Sequence, residues 1–256
     1  MKTVLIGGAS KGLGFGCSLE FAKAGYSVIM CSRSKHSLEE AAQKIRNQTG
    51  GNVVPVACDW SSSKDLEYLH NEIRKRNICI DILINNVGGP TPGNVIELGD
   101  RDWMQSLDLL FWSTHRVIKM VLEGMIQKNW GRIITISSPA AIEPVRGLAA
   151  SSVIRASLAA YMKLLSNELV EKNITVNTLL PSGFFTDRTK QLMEIEAKER
   201  SMSLEDLKRE TELSLPSGRF LDPRELGVVA LFLASEAASA ITGAMIPVDS
   251  GSLKSI

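Results

Sequence analysis

The sequence predicts an α/β fold, a single doubly wound domain whose seven-stranded, mainly parallel sheet carries helices on both faces. Three observations lead there. Short apolar runs alternate with helical patterns, early on at a spacing of roughly 25 residues, which is the signature of right-handed βαβ units. The first of these runs passes without a spacer into a glycine-rich turn that opens a helix. Finally, 256 residues that are 44% hydrophobic and 22% charged, with no internal repeat, low-complexity segment or linker, read as one domain over residues 1–256 with a full core.

Taken in order, Thr3 to Ile6 is an apolar run of the kind a strand buried on both faces needs, and an amphipathic helix begins at Leu13, with Cys17, Leu19, Phe21 and Ala22 on its inner side. Tyr26 to Cys31 is the second strand, followed by a helix over Ser37 to Asn47. Val53 to Cys58 forms the third strand, Ser63 to Asn77 a helix and Ile80 to Ile84 the fourth strand. A long helical pattern runs from about Asp100 to Lys128, ahead of strand five at Arg132 to Ser137. Leu148 to Lys172 is a further helix and Thr175 to Leu180 strand six. Gln191 to Leu213 is charged and helix-prone, Pro223 to Ser235 is a helix with proline at its start, and Ala244 to Val248 is the last strand.

The turn Gly7-Gly8-Ala9-Ser10-Lys11-Gly12-Leu13-Gly14 aims free backbone N–H groups and a positive helix end at one point, an arrangement suited to a diphosphate. Glycine is needed there because the ligand must approach the backbone closely. A tight strand-to-helix turn without ligand is the alternative. In dinucleotide folds the end of the second strand faces the adenosine ribose, where an acidic side chain selects NAD. This chain has Ser32-Arg33 there, with Lys11 in the loop, Lys35 and His36 just beyond, and no carboxylate between Val28 and Leu38. Cations without an acid favour the 2′-phosphate, so NADP(H) is preferred, with NAD(H) possible; a solvated basic turn is the alternative.

A net charge of +1 gives no reason to expect nucleic acid or an anionic membrane surface as partner. The run after Lys2 is too short for a secretory signal, and no stretch approaches the roughly 18 apolar residues of a membrane span. Cys17, Cys31, Cys58 and Cys79 lack C-x-x-C spacing and read as reduced, semi-buried hydrophobes, so a cytoplasmic protein is expected. No cluster has metal-ligand spacing.

With these motifs the chain resembles the short-chain dehydrogenase/reductases, more narrowly their 3-oxoacyl-[acyl-carrier-protein] reductase-like members, over essentially its whole length. The family's TGxxxGxG loop matches Gly7 to Gly14, with Gly7 where threonine is usual. Cys58-Asp59, followed by Trp60, matches the adenine position, and Asn85-Asn86-Val87-Gly88 the N-N-A-G turn. Gly131 to Ser138 matches strand five with its catalytic serine, and Ile174 to Asn177 through Pro181 and Thr186 matches strand six and the nicotinamide loop, although Ser182 replaces a glycine. Gly218-Arg219, Pro223-Arg224-Glu225, Phe232 to Ser235 and Val248 to Gly251 match the last third. The resemblance implies a Rossmann domain whose coenzyme shell comprises Gly7, Ser10, Lys11, Gly12, Leu13, Gly14, Ser32, Arg33, Asp59, Trp60, Asn85, Val87, Gly88, Arg155, Pro181, Gly183 and Thr186.

The catalytic pattern departs from the family's. A tyrosine is expected thirteen residues after Ser138 and a lysine four later, on one helix face; these positions hold Ser151 and Arg155. The asparagine expected seven residues after Trp103 is Leu110. A phenol with pKa near 10 is within tuning range, whereas an aliphatic hydroxyl is a far weaker acid. Arg155 can fork its donors to ribose hydroxyls but cannot relay a proton as a tuned lysine does. Tyr161 lies about 15 Å further along the same helix. Tyr26 and Tyr68 are on other elements, and His115 is some 140° around its helix from Leu110 at about 100° per residue. Glu143, in the loop between Ser138 and Ser151, is a tuned acid or a solvated carboxylate. The expected catalytic set is therefore Ser138, Ser151 and Arg155, acting on a small carbonyl or acyl-thioester substrate, with a catalytically silent NADP(H)-binding sensor or structural subunit as the other class of function.

Two segments concern substrate and assembly. Residues 187–216, dense in Lys, Arg and Glu with Met193 and Met202 interspersed, form either a substrate lid or a surface helical pair. The helices Asp100 to Lys128 and Leu148 to Lys172 pack against partner copies in the family, which implies a homodimer or homotetramer.

Overall fold

Every strand pairing is parallel in the computed structural model, which describes residues 1–255. The seven strands run in the order β3-β2-β1-β4-β5-β6-β7: β1 Thr3–Ile6, β2 Ser27–Ser32, β3 Val53–Ala57, β4 Ile82–Asn85, β5 Gly131–Ile136, β6 Ile174–Pro181 and β7 Met245–Val248. The chain leaves β1 in one direction for β2 and β3, then returns to the other side for β4, so a crevice opens between the carboxyl ends of β1 and β4.

Alternation along the strands divides the core into two layers. Val4, Ile6, Val28 and Met30 face α1 (Gly12–Lys23), α2 (Lys35–Thr49) and α9 (Pro223–Leu233), where Phe21, Leu38 and Leu226 are fully buried. Leu5, Ile29, Leu83, Ile133 and Val176 face α3 (Ser63–Lys75), α5 (Ser113–Lys128) and α6 (Ala149–Leu169), against Leu69, Val117, Leu158 and Met162. Hydroxyl and carboxylate caps start the helices: Ser34 accepts from Ser37 N, Ser62 from Asp65 N, and Asp222 forms a reciprocal box with Glu225.

Three expected elements differ. The pattern over Asp100 to Lys128 is not one regular helix: α4 (Asp100–Leu107) widens into a π-helical turn, Asp108–Trp112, before α5. Leu148 to Lys172 is α6 followed by a 3₁₀ turn, Val170–Lys172, because Asn173 takes a left-handed conformation at its end. The charged stretch Gln191 to Leu213 is two helices, α7 (Asp187–Glu199) and α8 (Leu204–Ser214), and it starts earlier than expected because Thr186 caps it. Among the described residues no helix is long and apolar enough to cross a membrane.

Candidate active site

The glycine loop is tied down from below. Gly7 donates its N–H to Ile84 O at 3.1 Å and accepts from Asn86 Nδ2 at 3.0 Å, while Ala9 N bonds Cys31 O at 2.9 Å. These bonds fix the loop to β4 and β2 on either side of β1. A Cβ at Gly14 would stand 2.3 Å from Gly8 O, so only glycine lets the helix start this close beneath the loop. Lys11, the N-cap of α1, makes no side-chain cap, and the first-turn N–H groups remain available to an anion.

Gly7 itself has a specific cause. A Cβ there would lie 2.5 Å from Asn86 O and 2.5 Å from Cζ3 of Trp60, whose indole is 5% exposed. The Trp60 ring therefore occupies the room that a threonine side chain would need. Its side chain underlies the loop in the same buried cluster as Cys31, with Nε1 buried and without a hydrogen-bond partner.

At the adenosine end, Ser32 Oγ is buried without a hydrogen-bond partner, and Arg33 is exposed and makes no ion pair among the described residues. Lys35 starts α2, and His36 stands 3.6 Å from Glu40. Asp59 Oδ1 accepts from Ser61 N at 3.0 Å and Ser61 Oγ at 2.7 Å, which orients the carboxylate. Beyond β4, Asn85 is buried and donates Nδ2 to Thr114 Oγ1 at 2.8 Å, leaving its Oδ1 unpartnered. Val87 is half-buried and Gly88 exposed, and a Cβ at Gly88 would meet nothing within 4 Å. Unused donors, an open glycine turn and the Arg33 and Lys35 side chains, neither paired with a carboxylate among the described residues, suit a phosphorylated dinucleotide in donor chemistry and in space.

The expected catalytic residues lie just past β5 and on α6. Ser138 caps a 3₁₀ turn, Pro139–Ala141, its Oγ accepting from Ala140 N at 3.2 Å, so the hydroxyl proton is free to donate. Ser151 and Arg155 lie one turn apart on α6, both 7% exposed. Arg155 Nε donates to Ser151 Oγ at 3.2 Å and its NH1 to Ile136 O at 3.4 Å. Burial, helped by repulsion from Arg188, pushes the Arg155 guanidinium down to about 10, which leaves it charged at neutral pH. Leu110, fully buried, is in the π turn, whose backbone carbonyl accepts from Thr114 Oγ1 at 2.7 Å.

No tyrosine is among these groups. Tyr161 pairs with His115 Nδ1 at 3.0 Å on the α5–α6 surface, Tyr26 packs edge-on against Phe21, and Tyr68 is exposed on α3. Glu143 accepts the backbone N–H groups of Lys254 and Ser255 at 3.1 and 2.6 Å, so it holds the C-terminal segment.

Past Pro181, Gly183 turns the chain at φ 73° and Thr186 caps α7, with its methyl 3.5 Å from the Cβ position of Gly12. The helical pair α7–α8 has a small core of its own, Met193, Ala197 and Leu207, with a bidentate Arg200–Glu210 pair closing the turn. It crosses to the glycine loop through the Lys11–Asp187 ion pair. Sequence reasoning passed over Asn86 as a support for Gly7, Asp187 as the partner of Lys11, and Arg188, which lies over Gly89 and donates to Pro90 O at 2.8 Å. The N-N motif pointed to the first of these; the other two are through-space contacts with no local pattern.

This architecture and loop set define a dinucleotide-type reductase class, and the chain belongs to the short-chain dehydrogenase/reductase family of oxidoreductases, since the family model described as enoyl-(acyl carrier protein) reductase matches residues 8–252. Among individual proteins, it is similar to the 3-oxoacyl-[acyl-carrier-protein] reductase FabG of Aquifex aeolicus, 32% identical over 250 residues that cover 98% of this chain and 96% of the relative. It is also similar to the NADPH-dependent reductase BacG of Bacillus subtilis, 31% identical over 256 residues covering 100% and 99%. The solved structure of YwfH, an NADPH dependent reductase involved in bacilysin biosynthesis, superposes with a TM-score of 0.94 at 30% identity, covering 100% of this chain and 99% of that one. A variant of the actinorhodin polyketide ketoreductase with NADPH gives 0.94 at 26%, covering 99% and 98%.

Proposed function

We propose that the chain is an NADP(H)-dependent reductase that works without a phenolic acid and therefore favours a hydride acceptor conjugated to a carbonyl. The observation that carries this reading is the buried Arg155, bonded to Ser151 Oγ and to Ile136 O two residues before Ser138, with no tyrosine among its hydrogen-bond partners. NADP(H), when bound, supplies or takes the hydride. The groups that would hold it are the N–H groups at Ser10 to Leu13 with the Ser10 side chain, the Ser32 and Arg33 side chains at the 2′-phosphate, joined by Lys11 once it leaves Asp187, Asp59 at the adenine, and the Asn85 to Gly88 turn with Pro181, Gly183 and Thr186 at the nicotinamide. BacG and YwfH, each an NADPH-dependent reductase, support that choice of coenzyme.

The chain's own residues then polarise an oxygen rather than protonate it. Ser138 and Ser151 point hydroxyls at the carbonyl, and Arg155 holds a positive charge beside them, so negative charge arriving on oxygen is stabilised as in an oxyanion site. With an enone or enoyl acceptor, hydride adds to the β-carbon, the electron pair moves to the oxygen as a delocalised enolate, and solvent protonates the α-carbon. With an isolated ketone the charge would stay on one alkoxide, which a serine hydroxyl is too weak an acid to quench. The α7–α8 pair acts as the lid, and α4–α5 and α6, with Trp112, Val153 and Leu164 exposed, provide the faces of a homodimer or homotetramer.

Cyclohex-2-enone and cyclohexanone, assayed with NADPH and with NADH alongside 3-oxoacyl thioesters, test this. The enone should exceed the ketone in kcat/KM by about 100-fold, the lower end of what a placed general acid contributes. Equal rates on both would refute it. Saturable NADPH binding with no oxidation across the panel would instead establish the silent sensor, a reading favoured by the burial of Ser151 and Arg155 against one another.

A further inference from the structure

We infer that Arg188, backed by Arg155, forms an anion seat at the substrate end of the crevice, and that the substrate carries its own carboxylate. This rests on the reading of the crevice as a reductase site. Successive residues on a helix point about 100° apart. At the start of α7, Asp187 reaches back to Lys11 in the glycine loop, while Arg188 turns the other way. It lies across Gly89, where a Cβ would stand 2.5 Å from its Nε, and donates NH2 to Pro90 O at 2.8 Å and NH1 to Gln191 Oε1 at 3.0 Å. Gly89 and Pro90 lie shortly after β4, and Arg155 reaches the end of the adjacent β5 through Ile136 O, so the two guanidinium groups sit beyond neighbouring strands, near enough for Arg188 to repel Arg155.

Neither has a carboxylate partner among the described residues. The acceptors of Arg188 are an amide oxygen and a peptide carbonyl; those of Arg155 are a serine hydroxyl and a peptide carbonyl. Burial lowers the proton affinity of both, and Arg188 lowers that of Arg155 further. Elsewhere the chain pairs such cations: Lys128 meets buried Asp81 at 2.6 Å, and fully buried Arg132 meets Glu236 at 3.4 Å. Two partly desolvated like charges without a counter-ion call for an anion, and a planar carboxylate fits the guanidinium fork. The coenzyme diphosphate is the other anion nearby. Its cradle is the glycine loop, which Asp187 reaches through Lys11, whereas the Arg188 guanidinium lies across Gly89 beyond β4.

The full-length protein, saturated with NADP⁺, should be titrated calorimetrically with 4-oxopentanoate, trans-4-oxo-2-pentenoate and 5-oxohexanoate, each against its methyl ester. At least one acid should bind roughly 10–100-fold more tightly than its ester, the range of a charge-assisted bond to a buried group. Arg188→Gln should abolish that preference and leave NADP⁺ affinity within about twofold. No preference for any acid would overturn the anion seat alone. A matching loss of NADP⁺ affinity in Arg188→Gln would assign the arginine to the diphosphate and overturn it too. Failure of the wild-type protein to take up NADP⁺ would instead bring down the coenzyme reading on which the seat rests.

Discussion

Replacing Gly7 by alanine adds one methyl group where the structure has no room for it. That carbon would sit 2.5 Å from Asn86 O and 2.5 and 2.6 Å from two ring carbons of Trp60, against the usual carbon contact of roughly 3.5–4.0 Å. Neither neighbour can yield cheaply. Trp60 is buried against Cys31, and Asn86 is committed to Gly7 O through its own side chain. Overpacking of this type costs about 1–3 kcal/mol, and the double contact puts Gly7→Ala near the upper end. For a chain of this size about 3 kcal/mol lowers Tm by roughly 6–12 °C. Because the same bonds hold the glycine loop, NADPH affinity should fall as well. Thermal unfolding and calorimetry on Gly7→Ala, Trp60→Leu and the double variant give the coupling. Part of the alanine penalty, at least about 1 kcal/mol, should disappear in the Trp60→Leu background, with the remainder due to Asn86 O. An alanine variant as stable and as competent for NADPH as the wild type would refute the claim that Trp60 dictates glycine at this position.

Further outcomes follow from the same geometry. Ser151→Tyr combined with Arg155→Lys should raise cyclohexanone reduction by about 100-fold if the missing proton donor limits it, and no gain in a folded double variant counts against that diagnosis. Arg33→Ala should weaken NADPH by roughly tenfold while leaving NADH unchanged, as a charge-assisted contact to the 2′-phosphate requires, measured by the same titration. Glu225 is held down to about 2, first by its paired bonds from Arg219 and then by the Asp222 N–H it caps. Its folded value is below the ordinary 4.5, so its stabilisation is complete above that pH and fades as pH falls toward 2. The Tm difference between wild type and Glu225→Gln should therefore shrink over that interval; because the pair is exposed, it is modest even at pH 7.

The sheet was legible because its central strands are apolar runs buried on both faces, while the edge strands β3 and β7 are apolar runs only partly covered, and the glycine turn because its chemistry is local. The π turn at Asp108–Trp112 was not legible, since its residues are ordinary helix formers and only the wider hydrogen-bond spacing marks it. Ser138, Ser151 and Arg155 were found by counting from strand five, and the Ser151–Arg155 bond follows from their i, i+4 spacing on α6. What pattern could not supply is contact between distant segments. Trp60 beneath Gly7, Asp187 on Lys11, the C-terminal backbone on Glu143 and Arg188 across Gly89 join residues 53 to 176 positions apart or at separate loops, where no periodicity carries information.

The most direct measurement is calorimetric titration of the folded protein with NADPH and NADH. A single saturable site that prefers the phosphorylated coenzyme is the predicted result. Absence of heat from either one, in protein that unfolds cooperatively, would contradict the account at its root.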